Sequence, residues 1–271
     1  MTFVDHLEEL RWHIIRSVIA IVVFAIVFFY KIDWLFENII IGPLKNNFIT
    51  FKIFCKLGHL VHMGDALCVQ TAEKVQLQTT SFSSQFVSSI TMSLVGGLIV
   101  AFPYVFWEFW KFIKPALTGK ELKNTRGAIF WVTFFFLAGI AFGYFVLCPF
   151  SFAFLFNYKI GYTALVQTRP TLDDYLDNFV DILFVCGVIF QLPILSFVLT
   201  KIGLVTPAFL RSYRKCAYVA IIFIAAIITP SQDMLTQSLV SLPLILLYEI
   251  SIIISARVTR QQARKDKEEW G

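Results

Sequence analysis

The sequence predicts an all-α membrane protein with six transmembrane helices, and three observations carry that expectation. Charged residues are only 15% of the 271 and hydrophobic residues 58%, whereas soluble domains run near 25% charged. Mean hydropathy is +0.73, with 30 phenylalanines. The apolar residues fall into six runs separated by charged or turn-forming stretches. Disordered chains, collagen-like fibres and disulfide-dense secreted modules are excluded by the same composition. The formal charge of +5 is then read by position, as topology, and no nucleic-acid partner is expected.

A spanning helix needs about 20 mostly apolar residues to cross a core of about 30 Å. Ile14–Tyr30 qualifies, interrupted only by Arg16, whose stem can snorkel. Ile90–Phe109 is the second run, with Glu108 near its far end. Gly127–Tyr158 contains no Asp, Glu, Lys or Arg, and Pro149 is expected to end or kink its helix. Ile182–Thr200 is the fourth, led by Thr171-x-x-Asp174, which reads as a capping box. Asp173, Asp174, Asp177 and Asp181 suit a solvated helix N-terminus, since no glycine-centred calcium loop accompanies them. Cys216–Thr229 is short: fourteen residues make about 21 Å of helix, so either it starts inside the Arg211–Lys215 basic cluster or, the favoured reading, the bilayer thins beside it. Met234–Ala256 is the last. The expected organisation is one integral membrane domain, 1–271, with approximate spans 14–33, 86–110, 126–149, 179–201, 214–229 and 234–255. The loop 34–85 is long enough to need structure of its own.

Basic residues set the orientation. The N-terminus, the loops after spans two and four, and the C-terminal tail together hold sixteen Lys and Arg, and the other face holds seven. The positive-inside rule therefore places both termini in the cytoplasm. Asp5, Glu8 and Glu9 stand where a cleaved signal peptide would be basic, so the first span is expected to be retained.

Cys148, Cys186 and Cys216 lie in spans and read as small buried hydrophobes. Cys55 and Cys68 share the long outer loop, on the oxidising side, where a disulfide is one reading. His59 and His62 between them leave metal ligation as the other, but the spacing fits no standard zinc module and no metal is expected. The chain has no phosphate-binding loop, dinucleotide fingerprint, zinc-protease motif or nucleophile elbow. No cofactor or enzymatic activity is expected, and transport work must draw on an ion gradient or on partners. Gly139-x-x-x-Gly143 permits close helix packing.

Ionisable and amide side chains in or against a bilayer are functional candidates. Glu9 and Arg11 precede span one, Glu121 follows span two, and Gln191 and Glu249 lie within spans four and six. For Glu9 and Glu121 the alternative is plain surface acidity among basic residues. For Gln191 and Glu249 it is helix–helix hydrogen bonding within the chain.

His6-Leu7-Glu8-Glu9-Leu10-Arg11 resembles the N-terminal signature of the TatC family, the polytopic core subunit of the twin-arginine protein translocase. Phe102-Pro103, the stretch Phe109 through Leu117, and Glu121 resemble its second signature. Gly42-Pro43-Leu44, Phe190-Gln191-Leu192-Pro193, Thr229-Pro230, Asp233, Gln237, Pro243 and Glu249 continue the match in order, from residue 6 to 249. The resemblance implies a concave, glove-shaped bundle with short fifth and sixth helices, which agrees with the short fifth span. It implies that Glu9 and Glu121 bind the two arginines of signal peptides on folded cargo, with Arg11 and Phe112 shaping the site and Lys111, Lys114 and Lys120 setting its potential. A guanidinium suits paired carboxylates because its planar donors engage both oxygens, which lysine cannot match. It further implies single-span partner subunits of the TatA/TatB type, self-association, the lipid bilayer as surroundings, and a location in the bacterial inner membrane. Gln191, Asp233, Gln237 and Glu249 would serve partner contacts. Many relatives carry glutamate where this chain has Gln191. A neutral amide still offers two donors and an acceptor, so it is expected to bond a polar group in a partner helix, and proton uptake there is put in doubt.

A secondary transporter for a small solute is the competing class. Against it, the sequence has no internal repeat and no paired broken helices. An intramembrane hydrolase is a third, but no span holds a histidine or a paired carboxylate.

Overall fold

The computed structural model describes residues 3–45, 47–60, 76–113, 125–158, 170–228 and 234–270. With no proline or glycine to interrupt it, the first apolar segment and the polar turns before it form one helix, α1 (Phe3–Tyr30). Its partly or fully buried positions include Glu9, His13, Ser17, Phe24, Ala25 and Phe28, a stripe at three- and four-residue spacing.

The segment that follows α1 has structure of its own. A short turn of helix α2 (Ile32–Leu35), a π turn Phe36–Ile40 and a 3-10 turn Gly42–Leu44 lead to α3 (Ile49–Leu60). The stripe on α1 meets α4 (Ser84–Ile113), which runs antiparallel to it. A Cβ added at Gly97 would lie 2.7 Å from the Ala25 amide nitrogen and 2.9 Å from the Ile21 carbonyl oxygen, so the two backbones touch there.

The third apolar segment is α5 (Thr125–Phe142), a π turn Gly143–Leu147 and α6 (Cys148–Asn157). Pro149 does not end this helix. It has no N–H for the Phe145 carbonyl four residues back, and the Thr50 hydroxyl of α3 donates to that carbonyl instead. The π turn widens the helix just before the proline and lets it continue.

The fourth segment starts earlier than its apolar run suggests. Thr171 caps α7 (Leu172–Ile189), its hydroxyl oxygen accepting from the Asp174 amide at 3.1 Å and the hydroxyl donating to the Asp174 carboxylate. Asp173 accepts from Ser84 at 2.5 Å and Ser88 at 3.2 Å, tying the start of α7 to the start of α4. The helix breaks at Phe190–Gln191 and resumes as α8 (Leu192–Lys201), because Pro193 cannot donate to the Ile189 carbonyl. Gly139 and Gly143 do serve close packing. A Cβ at Gly139 would come within 2.6 Å of the Cys186 carbonyl oxygen, and Gly143 faces the Cys186 and Leu183 side chains.

A short helix, α9 (Pro207–Ser212), precedes α10 (Arg214–Ile228), and α11 (Met234–Trp270) closes the described chain. The fifteen residues of α10 make about 22 Å. It offers only one face to the protein, which is why Cys216 is exposed rather than buried as expected, while Cys148 and Cys186 are buried free thiols. The sixth helix corrects a second expectation: at 37 residues it is not short. Beyond Ala256 the sequence is rich in Arg, Gln, Ala, Lys and Glu with no Pro or Gly before the last residue, and such residues propagate helix past the apolar part. Buried Ser196 and Thr200 of α8 face Ser251 and Ser255 of α11, with Thr200 Oγ1 2.7 Å from Ser255 Oγ. Among the described residues five helical segments, with α5 to α6 and α7 to α8 each taken as one, are apolar and long enough to cross a bilayer, and α10 is shorter than these. The chain is a multi-pass membrane protein whose lipid-facing surface exposes residues such as Val18, Ile26, Phe134 and Phe223.

Candidate functional site

One end of the bundle gathers the start of α1, the end of α4, and the Lys201 and Gln262 region, where Gln262 donates to the Lys201 carbonyl at 3.0 Å. At this end α1 meets α4 through His13, with the acidic residues Glu8 and Glu9 in the turn before it. Glu8 and Arg11 are both about 65% exposed and 3.8 Å apart, a surface pair worth little. Arg11 also lies 5.9 Å from the Trp12 ring centroid. Glu9 is half-buried on the α4-facing stripe.

One turn further along that stripe, His13 Nδ1 is 2.6 Å from Glu108 Oε2. An ionised carboxylate only accepts, so the imidazole N–H donates. Lys111 Nζ donates to Glu108 Oε1 at 2.9 Å. Glu108 is 2% exposed and is the only buried carboxylate among the described residues. A buried carboxylate must be paired and hydrogen-bonded to persist, and both oxygens here are engaged. Phe112 packs edge-on to His13, with ring centroids 6.3 Å apart.

Of the residues expected at this site, Phe112 meets α1 at His13, one turn from Glu9, whereas Arg11 is exposed and its contacts are with Glu8 and Trp12 on its own helix. Glu121, with Lys114 and Lys120, lies outside the described residues. Sequence reasoning does not single out Glu108. The signal available is a glutamate inside an apolar run with a lysine three residues on and a histidine in the first helix, and only the tertiary contact joins them.

Three of the polar residues expected to meet partners make contacts within the chain. Gln191 Nε2 donates to the Val132 carbonyl at 3.0 Å, from the break between α7 and α8. Glu249 Oε2 accepts from Arg214 at 2.6 Å, and Glu249 Oε1 accepts from the Tyr218 hydroxyl, bridging α10 and α11. Gln237 Nε2 lies 3.4 Å from the Ile222 carbonyl. Asp233 lies outside the described residues. Cys55 is disulfide-bonded, and its sulfur is 3.8 Å from His59 Nε2; Cys68 and His62 lie outside the described residues. Among the described residues no cluster could hold a metal ion.

Comparison with known proteins bears on all of this. The family model described as Sec-independent protein translocase protein (TatC) matches residues 5–243. The Sec-independent protein translocase protein TatC of Blattabacterium sp. subsp. Periplaneta americana is 38% identical over 266 residues, covering 97% of each chain. That of Deinococcus radiodurans is 34% identical over 265 residues, covering 97% of this chain and 88% of its own. A crystal structure of the twin-arginine translocase receptor TatC superposes with a TM-score of 0.68 at 32% identity, over 94% of this chain and 99% of the other. The matches span the whole helical bundle, and the chain belongs to the TatC family of Sec-independent protein translocase proteins.

Proposed function

We infer that this translocase subunit receives twin-arginine signal peptides of folded cargo at the cytoplasmic membrane surface. It scaffolds single-span TatA/TatB-type subunits for export driven by the proton motive force. The observation that supports this best is the half-burial of Glu9 on the seam between α1 and α4, at the end of the bundle where the sequence concentrates basic residues. An anion held there, at reduced dielectric, rewards a guanidinium more than bulk water would. The same asymmetry of charge supports an inner-membrane location with both termini cytoplasmic. The solved relatives are described as twin-arginine translocase receptors, which points the same way.

Photocrosslinking tests the reading. A probe carried at Leu10, Phe112 or next to Glu121 is expected to capture an Arg-Arg peptide in membranes, and capture confined to the opposite ends of α1 and α4 would reject it.

Gln191, Asp233, Gln237 and Glu249 are proposed to serve partner subunits or self-association. For Gln191 the support is geometric: its amide N–H engages Val132, and the Oε1 acceptor remains for a polar group of a partner helix. Gln191→Leu is expected to lower co-purification of a single-span partner severalfold, since intramembrane hydrogen bonds contribute about 0.6–2 kcal/mol each, while Arg-Arg peptide binding is retained. Normal yield of both components would count against this role.

Cys55 is proposed to pair with Cys68, closing the outer loop on the oxidising face. Alkylation without reductant should leave the mass of the peptides bearing them unmodified, and alkylation after reduction should add two adducts. Two adducts without reductant would remove the bond.

A further inference from the structure

Glu108 is buried, and of the two groups that hold its carboxylate oxygens only Lys111 reaches an accessible edge. His13 holds Oε2 from α1 and is itself only 12% exposed. Lys111 holds Oε1 from the rim: its side chain is 42% exposed, and its ammonium also lies 4.7 Å from the Trp107 ring centroid. A carboxylate oxygen and an indole face meeting one cation at an accessible edge make a better seat for a guanidinium than for an ammonium. The guanidinium is planar, more weakly hydrated, and stacks on aromatic faces while donating in its own plane.

The face of α1 that holds Glu108 through His13 also carries Glu9. His13 follows Glu9 by four residues, so the two share a face of α1 about 6 Å apart along its axis. Adjacent residues of an extended peptide have Cα atoms about 3.8 Å apart, and arginine stems are long enough to make up the difference.

We propose that Glu108 is a further arginine-binding carboxylate of the signal site, occupied in the unliganded protein by Lys111. One arginine of the incoming pair displaces the Lys111 ammonium from Glu108 and Trp107 while the other meets Glu9. The proposal rests on the signal-peptide reading above. The exchange is cation for cation, so the buried carboxylate is never left uncompensated, the state that costs most. It also gives selectivity: a ligand lysine offers Glu108 nothing that Lys111 does not already supply, whereas an arginine does.

The test is a double-mutant cycle in nanodiscs with fluorescent Arg-Arg and Lys-Lys signal peptides, thermal unfolding of each variant serving as the check on fold. Lys111→Gln removes the incumbent and is expected to tighten Arg-Arg binding about fivefold, the worth of a partly exposed ion pair. Glu108→Gln is expected to weaken it about tenfold and to change Lys-Lys binding little. In the Glu108→Gln background Lys111→Gln should give no gain. An equal gain in that background would reduce Lys111 to a general charge effect and overturn the proposal, as would weaker Arg-Arg binding in Lys111→Gln alone. Glu9→Gln run alongside separates the two layers. Unchanged affinity there removes the signal site itself, whereas weakened affinity with no coupling in the cycle removes only the exchange at Glu108.

Discussion

Glu9→Gln is expected to lower affinity for an Arg-Arg signal peptide by about tenfold or more, and adding Glu121→Gln is expected to lower it further. The expected size follows from the bond lost. A hydrogen bond to a charged group is worth about 1.5–3 kcal/mol net, and each ~1.4 kcal/mol is tenfold in the dissociation constant. Glutamine keeps the shape and one acceptor but gives up the charge, so the loss reports ion pairing rather than packing. The helix itself should be indifferent. Glu9 sits half-exposed in the first turns of α1 with no ion-pair partner among the described residues, and substitutions at such positions shift stability by about 0.5 kcal/mol or less. Titration in nanodiscs, with unfolding temperature measured on the same samples, reads both quantities. Wild-type affinity in the double variant would reject the assignment of these carboxylates.

Gly97→Ala is expected to destabilise the fold by about 3 kcal/mol, the upper range for overpacking, and to lower the unfolding temperature by about 5–10 °C. The added Cβ would lie 2.7 Å from the backbone nitrogen of Ala25 and 3.0 Å from its Cα. Backbone cannot rotate away as a side chain can, so α1 and α4 must separate. That separation would also lengthen the His13–Glu108 contact, now 2.6 Å, and weaken peptide binding at a site the substitution never touches. Gly127→Ala is the control: a Cβ added there would have nothing within 4 Å, and alanine is the better helix former, so unfolding should be unchanged or slightly later. Equal unfolding temperatures for wild type and Gly97→Ala would mean the two helices are not in backbone contact.

How far the sequence alone reaches can be judged from particular residues. The helical class follows from composition, because only a chain meant for lipid can leave so few charges. Thr171 is legible as a cap, since its partner is three residues away and capping is local. Gly139 and Gly143 are legible as permitting close approach, but Cys186 as the group that approaches is not. Of the two outcomes expected at Pro149, an end or a kink, the helix does not end but passes through a π turn just before the proline. The cause of its continuing, the Thr50 hydroxyl meeting the Phe145 carbonyl, lies far away along the chain. The exposure of Cys216 and the length of the sixth helix depart from expectation for simpler reasons: apolar sequence does not say which face meets protein, and helix propensity continues where hydropathy stops.

At the candidate site the division has the same physical origin. Residue type and periodicity act over one or two helical turns, so the sequence was sufficient for the number of apolar segments, the asymmetry of basic charge and the family signature around Glu9. Pairing across helices is a property of distance in space, and no local pattern encodes it. The burial of Glu108 between His13 and Lys111, the use of Gln191 on Val132 and the bridge from Glu249 to Arg214 were decided only when the helices packed, because an ionic or amide group withdrawn from water takes whichever partner the neighbouring helix brings within about 3 Å.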